Sequence, residues 1–511
     1  MRRRLETVFP WLLLLFIGLG LLSTAARKPF WFDEILTLKV AQCRLGPEMW
    51  QAITAGFEFN PPGIYVATRL SEMAFGRGPI SSRLPSILSG LIVLFCAFQV
   101  ASRRFGAAAG YWALFLVFFS GALVYFTEAR GYALVLAGVM IAWSSWQGLV
   151  DNAQHRPVRL LGVFSGLILA LASHMWALLI PACFVASAIC RWLRTKTLDT
   201  GALGAMITPC LLIVSYRPII AASRGIRFGE RSFHTSLAGT AYSILHFVPY
   251  FVTVCVMVLL ADSLLFPRKP DKEDFQPEST LPPEDVVLAL SLMCLPAAIW
   301  AITKLMHSAF VPRYALAAIL GLAFVLAQML AFLAQRARTS SYALLMVFGL
   351  GLSAYSIRSV MQGWHLQNPV AQELASIPQN GGNSELIVYN TGGAFLTADY
   401  YATPEMASRL AFVADRQLAY QISGTDGVDS AFVLGSRHLA LRGRVISYAE
   451  LEQFHRSFWF IAGDKDQFDW ISEKLRSAGV DMRALDVPNT RIFYVTFPEI
   501  SPMAQCPPTR K

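Results

Sequence analysis

Trp11-Leu-Leu-Leu-Leu-Phe-Ile-Gly-Leu-Gly-Leu-Leu22 carries no charge, follows Met1-Arg-Arg-Arg4, and gives way to Arg27-Lys28 and then to Trp31-Phe-Asp-Glu34. A hydrocarbon slab about 30 Å thick takes about 20 apolar residues per helix, so this stretch reads as a membrane span with a basic inner flank. A cleaved signal sequence also begins with basic residues, but this apolar run is longer than the usual core of one, and Ala25-Ala-Arg27 is a poor cleavage site. The helix is therefore expected to be retained.

Outward from this stretch the pattern repeats. Spans are expected near 8–25, 79–100, 108–126, 131–150, 158–173, 175–192, 203–221, 243–265, 286–303, 313–334 and 341–358, about eleven in all. Composition agrees, with 55% hydrophobic residues, 15% charged residues and a mean hydropathy of +0.48. That balance excludes a string of soluble cores. With the N-terminus cytoplasmic, inside loops carry Arg103-Arg104, Arg156 with Arg159, Arg191 with Arg194 and Lys196, Arg268 with Lys269 and Lys272, and Arg336 with Arg338. These flank helix ends in short loops, as the positive-inside rule requires. Outside cations gather instead in the loops 26–78 and 222–242 and beside carboxylates, and an odd span count leaves the C-terminus outside too.

The first outside loop, 26–78, is too long for a plain connection. Pro267-Arg-Lys-Pro-Asp-Lys-Glu-Asp-Phe-Gln-Pro-Glu278, within the segment 267–284, reads as a cytoplasmic linker between eight spans and the last three. Beyond 360 the apolar runs shorten to strand length. Leu386–Tyr389, Phe432–Leu434, Phe458–Ile461 and Ile492–Thr496 read as strands, and Phe468–Leu475 reads as an amphipathic helix. The expected organisation is a polytopic α-helical membrane domain over 1–360 and a soluble extracytoplasmic α/β domain over 361–511.

Most of the eight cysteines fall in or beside apolar spans, which is not a disulfide framework, although Cys43 and Cys506 share the outside face. No Cys/His spacing suggests zinc. The net charge of +10 comes without a basic stretch interleaved with aromatics, so membrane lipid headgroups rather than nucleic acid are the expected anionic partner.

Adjacent carboxylates at a membrane surface are costly unless solvated, paired or used. Asp33 and Glu34 therefore form the first catalytic candidate: they can serve as general base or ligate a divalent ion, or they are a solvated pair with Asp33 capping a helix. Glu128 and Arg130, in Tyr125-Phe-Thr-Glu-Ala-Arg-Gly-Tyr132, face the same side. Either they pair locally, or Glu128 joins Asp33 while Arg130 meets an anion. His174 follows Ser173 on that face, and Arg313, in Phe310-Val-Pro-Arg-Tyr314, opens a late span there. Arg224, Arg227 and Arg231 add cations, so together these residues make an outside-facing anion site.

Trp-Phe-Asp-Glu34, Asn60-Pro-Pro-Gly-Ile-Tyr65, Ser82-Arg-Leu-Pro-Ser86, Arg103-Arg-Phe-Gly106, Thr127-Glu-Ala-Arg-Gly-Tyr-Ala-Leu134, Ser173-His-Met-Trp176 and Val311-Pro-Arg-Tyr314 resemble, in this order, the C-type (GT-C) membrane glycosyltransferases. The likeness spans roughly residues 1 to 360 and lies toward bacterial members of the dolichyl-phosphate-mannose-protein mannosyltransferase group, which includes the lipid A aminoarabinose transferases. It implies inverting transfer from a polyprenyl-phosphate-linked sugar to a lipid, glycan or protein acceptor, at the outer face of a bacterial inner membrane. It implies Asp33 as general base with Glu34 beside it and Glu128 in the same catalytic cavity. It further implies Arg130 and Arg313, with Arg227 and Arg231, on the donor phosphate. His174, Asn60, Tyr65, Tyr132 and Tyr314 would line the cavity. No cofactor is implied with certainty; a divalent ion held by Asp33 and Glu128 is left open. Asn60 stands where the family commonly has His, Gly131 where many have Pro, and Met175 where many have an aromatic, which bears on the acceptor more than on the reaction. The rival class is a transporter or flippase of lipid-linked sugars, whose charges would sit at the midplane of inverted repeats. Ionisable residues gathered on one face favour an interfacial enzyme.

Overall fold

The structure is a computed structural model that describes residues 2–56, 58–151, 155–227, 236–266, 282–306, 308, 310–362, 365–377, 385–462, 469–485 and 491–498. Contacts divide it into two units, Met1–Ser223 with Phe233–Gln367, and Arg224–Ser232 with Asn368–Lys511.

The first unit is helical throughout. It runs through α1 (Arg2–Arg27), α2 (Phe32–Ala41), α3 (Pro47–Thr54), α4 (Gly63–Phe75), α5 (Pro79–Phe105), α6 (Ala107–Phe118), α7 (Ala122–Phe126), α8 (Tyr132–Asp151) and α9 (Arg156–Ser173). It continues through α10 (Ile180–Thr195), α11 (Thr200–Ile207), α12 (Leu212–Ser215), α13 (Arg217–Arg224), α14 (Leu237–Leu245), α15 (Val248–Leu265), α16 (Pro283–Met293), α17 (Leu295–Leu305), α18 (Ala318–Arg336) and α19 (Arg338–Met361). Among the described residues eight helices are long and apolar enough to cross a membrane, or ten if each of two bent pairs is one span. Those pairs are Thr200–Ser215 with Arg217–Arg224, bent by 53°, and Pro283–Met293 with Leu295–Leu305, bent by 41°. The remaining place, expected at 108–126, holds the shorter apolar helix α6 and then α7. The break between these two helices is bonded to its neighbours: Gly121 N–H donates to the Ile244 carbonyl at 2.9 Å and Phe247 N–H to the Phe119 carbonyl at 3.0 Å. Backbone freed inside an apolar bundle is tolerated where protein groups satisfy it in this way.

Small residues set the closest crossings. Gly138 of α8 and Gly166 of α9 each face the other's carbonyl so tightly that a Cβ on either would collide with it. Without a hydrophobic drive between helices in lipid, such close backbone approach is what packs spans together. α1 and α19 form another pair. Phe9 lies on Gly349, Gly20 on Ser356, and Ser23 donates to the Ser359 carbonyl at 2.6 Å, so the first and last spans run in the same direction. Parallel first and last helices demand an odd number of crossings, and they place Gln362 at the end of the bundle where α1 gives way to Asp33.

Arginines at the opposite end meet carboxylates rather than sitting in plain loops. Arg104 reaches Asp151 at 2.6 Å and Asp285 at 2.5 Å, Arg194 reaches Glu284 at 2.6 Å, and Arg156 and Arg191 share Asp199. Glu284 was expected to close the linker, and it instead lies in the first turn of α16, where negative charge is favoured by the helix dipole. The charged run Pro267–Glu278 and Cys506 lie outside the described residues; Cys43 is buried.

The second unit is a six-stranded sheet in the order β3-β2-β1-β4-β6-β5. Its strands are β1 (Ile387–Tyr389), β2 (Leu410–Val413), β3 (Arg444–Ile446), β4 (Ser457–Ile461), β5 (Asp481–Ala484) and β6 (Ile492–Thr496). β3, β2, β1 and β4 are parallel, and β6 runs antiparallel to both β4 and β5. β1 and β2 are buried along their whole length, which matches their unbroken apolar sequence. Phe432–Leu434, expected as a strand, lies instead in the helix Gly427–Gly435. A three-residue apolar run does not distinguish the two periods, and here Asp429, Phe432 and Gly435 are buried at helical spacing.

Candidate active site

The long loop after α1 is not loose: α2, α3 and α4 fold over it and carry its polar residues inward. Asp33 sits at the second position of α2, with Trp31 rather than Asp33 as the helix cap. Its carboxylate is buried, with Oδ2 at 3.0 Å from Arg313 Nη2 and 3.7 Å from Arg130 Nη2. Neither guanidinium is aligned to donate a hydrogen bond to that oxygen.

Glu34 is held quite differently. Arg83 Nε and Nη2 donate to its two oxygens at 2.7 Å each, and Ala129 N–H donates to Oε1 at 2.8 Å. Both side chains are wholly inaccessible. Arg83 also donates to the Ala25, Lys28 and Pro29 carbonyls and stacks on Phe30 at 4.2 Å. A buried bidentate pair with every donor satisfied ties together the end of α1, the start of α2, α5 and the turn before α8.

Arg130 lies across Asp33. Its Nη1 donates to Glu58 Oε2 at 2.7 Å, to the Asp33 carbonyl at 2.9 Å and to Thr37 Oγ1 at 3.2 Å. Burial opposes its charge, but Glu58 and Asp33 outweigh burial and hold its pKa well above the usual arginine value. Asn60 donates to the other oxygen of Glu58 at 2.7 Å, and Tyr65 is buried in α4. Glu128 pairs with Lys28 at 2.6 Å rather than with Asp33 or Arg130, and burial pushes its carboxyl up more than Lys28 draws it down.

His174 stands between two phenol rings, Tyr132 at 5.0 Å and Tyr314 at 5.2 Å. Its Nδ1 accepts the Trp176 N–H at 3.2 Å, which assigns the ring proton of the neutral form to Nε2. Burial, then Arg130 and Arg313, lower its pKa to about 3, so it is uncharged at neutral pH. Arg313, in the turn before α18, faces the Trp31 and Tyr132 rings at 5.6 and 5.9 Å. A small cavity is lined by the polar or aromatic Tyr132, His174, Trp176, Arg313 and Tyr314 and by the apolar Val135, Leu136, Ile180, Leu295, Ile299 and Leu316.

Two glycines make this convergence possible. Gly131 and Gly63 both press on the Ala172-Ser173 backbone ahead of His174, and a Cβ on either would collide with it. Asp33 Oδ2, Glu128 Oε2, Arg313 Nε and Trp31 Nε1 are buried at this end of the bundle without a hydrogen-bond partner, and of these residues Arg313 lines the cavity.

Asp33, Glu34, Glu128, Arg130, His174, Asn60, Tyr65, Tyr132, Arg313 and Tyr314 are thus brought to one end of the bundle. Arg227 instead belongs to the second unit, where its backbone N–H and Nε meet Asp426 at 2.7 and 3.1 Å and its guanidinium covers Tyr420 at 4.2 Å. Arg231 lies outside the described residues. Asp33 and Glu128 are paired with Arg313 and Lys28 respectively, and no group of three His, Cys, Asp or Glu gathers among the described residues. Glu58, Arg83 and Lys28 were not anticipated as site residues. Arg83 lies in Ser82-Arg-Leu-Pro-Ser86, and Glu58 precedes Asn60 by two residues, but only the fold reveals their partners.

No protein-family profile matches the sequence, and no curated protein sequence matches it. Among solved structures the chain is similar to ArnT from Cupriavidus metallidurans in the apo state, with a TM-score of 0.55 at 12% identity, covering 96% of this chain and 98% of that one. It is also similar to the same protein bound to undecaprenyl phosphate, with a TM-score of 0.54 at 12% identity, covering 96% of this chain and 97% of that one. The chain therefore has the fold of ArnT.

Proposed function

We propose that the chain is an inverting glycosyltransferase that moves a sugar from a polyprenyl-phosphate donor to a lipid, glycan or protein acceptor at the outer face of a bacterial inner membrane. The observation that carries this reading is the buried Asp33 carboxylate flanked by Arg313 and Arg130 beside the cavity. Transfer needs one base and a place for a phosphate anion, because a phosphate ester leaves without an acid once cations stabilise its developing charge. The acceptor O–H or N–H attacks the anomeric carbon on the face opposite the donor phosphate. As the new bond forms, the bond from that carbon to the phosphate oxygen breaks and its electron pair goes to the polyprenyl phosphate. The acceptor proton goes to Asp33. Arg313, at the cavity wall, meets the phosphate, and the apolar wall formed by Val135, Leu136, Ile180, Leu295 and Ile299 takes the first isoprene units. The similar enzyme solved with undecaprenyl phosphate supports this donor class. Glu34 orients the α2 entry through Arg83, and neutral His174 offers its Nε2 proton to a sugar hydroxyl.

The test is release of polyprenyl phosphate by purified protein in proteoliposomes, using polyprenyl-phosphate hexoses and pentoses and membrane-extracted acceptor. Asp33→Asn should lower kcat by about a thousandfold, the middle of the range that a lost general base costs. Full transfer by that variant would remove Asp33 from the mechanism.

A further inference from the structure

Two arginines flank Asp33, and they are not equivalent. Arg130 is locked: Glu58 takes both of its terminal nitrogens, Nη1 at 2.7 Å and Nη2 at 3.5 Å, and the Asp33 carbonyl and Thr37 hold Nη1 as well. Glu58 is locked in turn by the Asn60 amide, and it is buried. Arg313 has one ion pair, with Asp33, two aromatic faces at more than 5 Å, an unpartnered Nε and a side chain 23% exposed. Of the two, Arg313 alone lines the cavity.

We propose that Glu58 is a positioning residue: it neutralises and anchors Arg130 beside Asp33, so that Arg313 is the counter-ion that leaves the carboxylate for the donor phosphate and frees Asp33 to act as base. The idea rests on the transferase reading above. The four side chains sum to zero charge, so an entering anion must recruit a cation from Asp33. Arg313 can swing into the cavity without breaking a second bond, whereas Arg130 would abandon Glu58, Thr37 and the α2 backbone. The formal charges facing Asp33 are these two guanidiniums, with the phenols of Tyr65, Tyr125, Tyr132 and Tyr314 within electrostatic reach.

Glu58→Gln keeps an acceptor for Arg130 and removes the balancing charge. The uncompensated guanidinium then competes with the acceptor proton for the Asp33 carboxylate. In the proteoliposome assay kcat should fall about tenfold, while donor KM changes less than about threefold. Arg313→Lys should do the reverse, raising donor KM by about tenfold or more with the smaller change in kcat. Glu58→Asp retains the charge at shorter reach, so its kcat should stay within about threefold of the wild type. A Glu58→Gln protein with unchanged kcat, or a Glu58→Asp protein that loses as much kcat as Glu58→Gln, would overturn the role of Glu58. A wild-type protein that transfers from no polyprenyl-phosphate sugar would instead sink the transferase reading itself.

Discussion

Arg83→Met leaves Glu34 charged and buried with only backbone N–H groups for company, because both of its oxygens now answer to that guanidinium. Breaking a buried pair from one side costs about 3–5 kcal/mol, so the variant should lose folded protein in detergent and melt well below the wild type. Arg83→Met combined with Glu34→Leu should recover part of that loss, since no lone charge remains. Thermal unfolding followed by size exclusion decides it, and equal melting of the single variant and the wild type would contradict the pairing. The two adjacent acids thus divide their work by environment, Glu34 sealed in a bidentate pair and Asp33 left with an oxygen that no donor satisfies. Sequence spacing marks the doublet as unusual without indicating which member is free, because the discriminating partner, Arg83, comes 49 residues later.

At the scale of elements, the site is a meeting of turns: the one before α8 and the one after α9 touch through Gly131 on the Ser173 carbonyl. Gly131→Ala must force that turn away, an overpacking that costs about 1–3 kcal/mol and displaces Arg130 from Asp33. The expected outcome is lower stability together with a transfer rate reduced out of proportion to the amount of folded protein, measured as kcat per folded molecule. Hydropathy located the spans because each is a long local signal, and bends next to Pro218 and Pro296 did not hide α11 to α13 or α16 with α17. The second unit was less legible. β1, β4 and β6 carry apolar runs, whereas β3 has three residues and β5, Asp481-Met-Arg-Ala484, is polar and exposed, so pairing with neighbours far along the chain makes them strands. Glu58 was illegible for a similar reason: nothing near it in sequence announces the Arg130 it anchors.

For the molecule as a whole, the parallel run of α1 and α19 makes a prediction about sidedness. Alkaline phosphatase fused after Gln362 should report the same compartment as a fusion after Arg44, and fusions after Arg104 or Arg336 should report the other. Opposite readings at Gln362 and Arg44 would break the odd-crossing argument. At the end of the bundle away from Asp33, arginines are matched to Asp151, Asp199, Glu284 and Asp285 in partly buried pairs.

The seam between α1 and α19 also sets a timetable for biogenesis. The Ser23 hydroxyl waits for a partner 336 residues downstream, which at about 5–20 residues per second arrives roughly 20–70 s after α1 leaves the ribosome. Until then Ser23, Thr24 and Arg27, at the threshold of the Asp33 site, face the bilayer or the insertion machinery without the groups they pair with in the finished bundle. A chain truncated before Arg338 would therefore present quality control with an unfinished first helix.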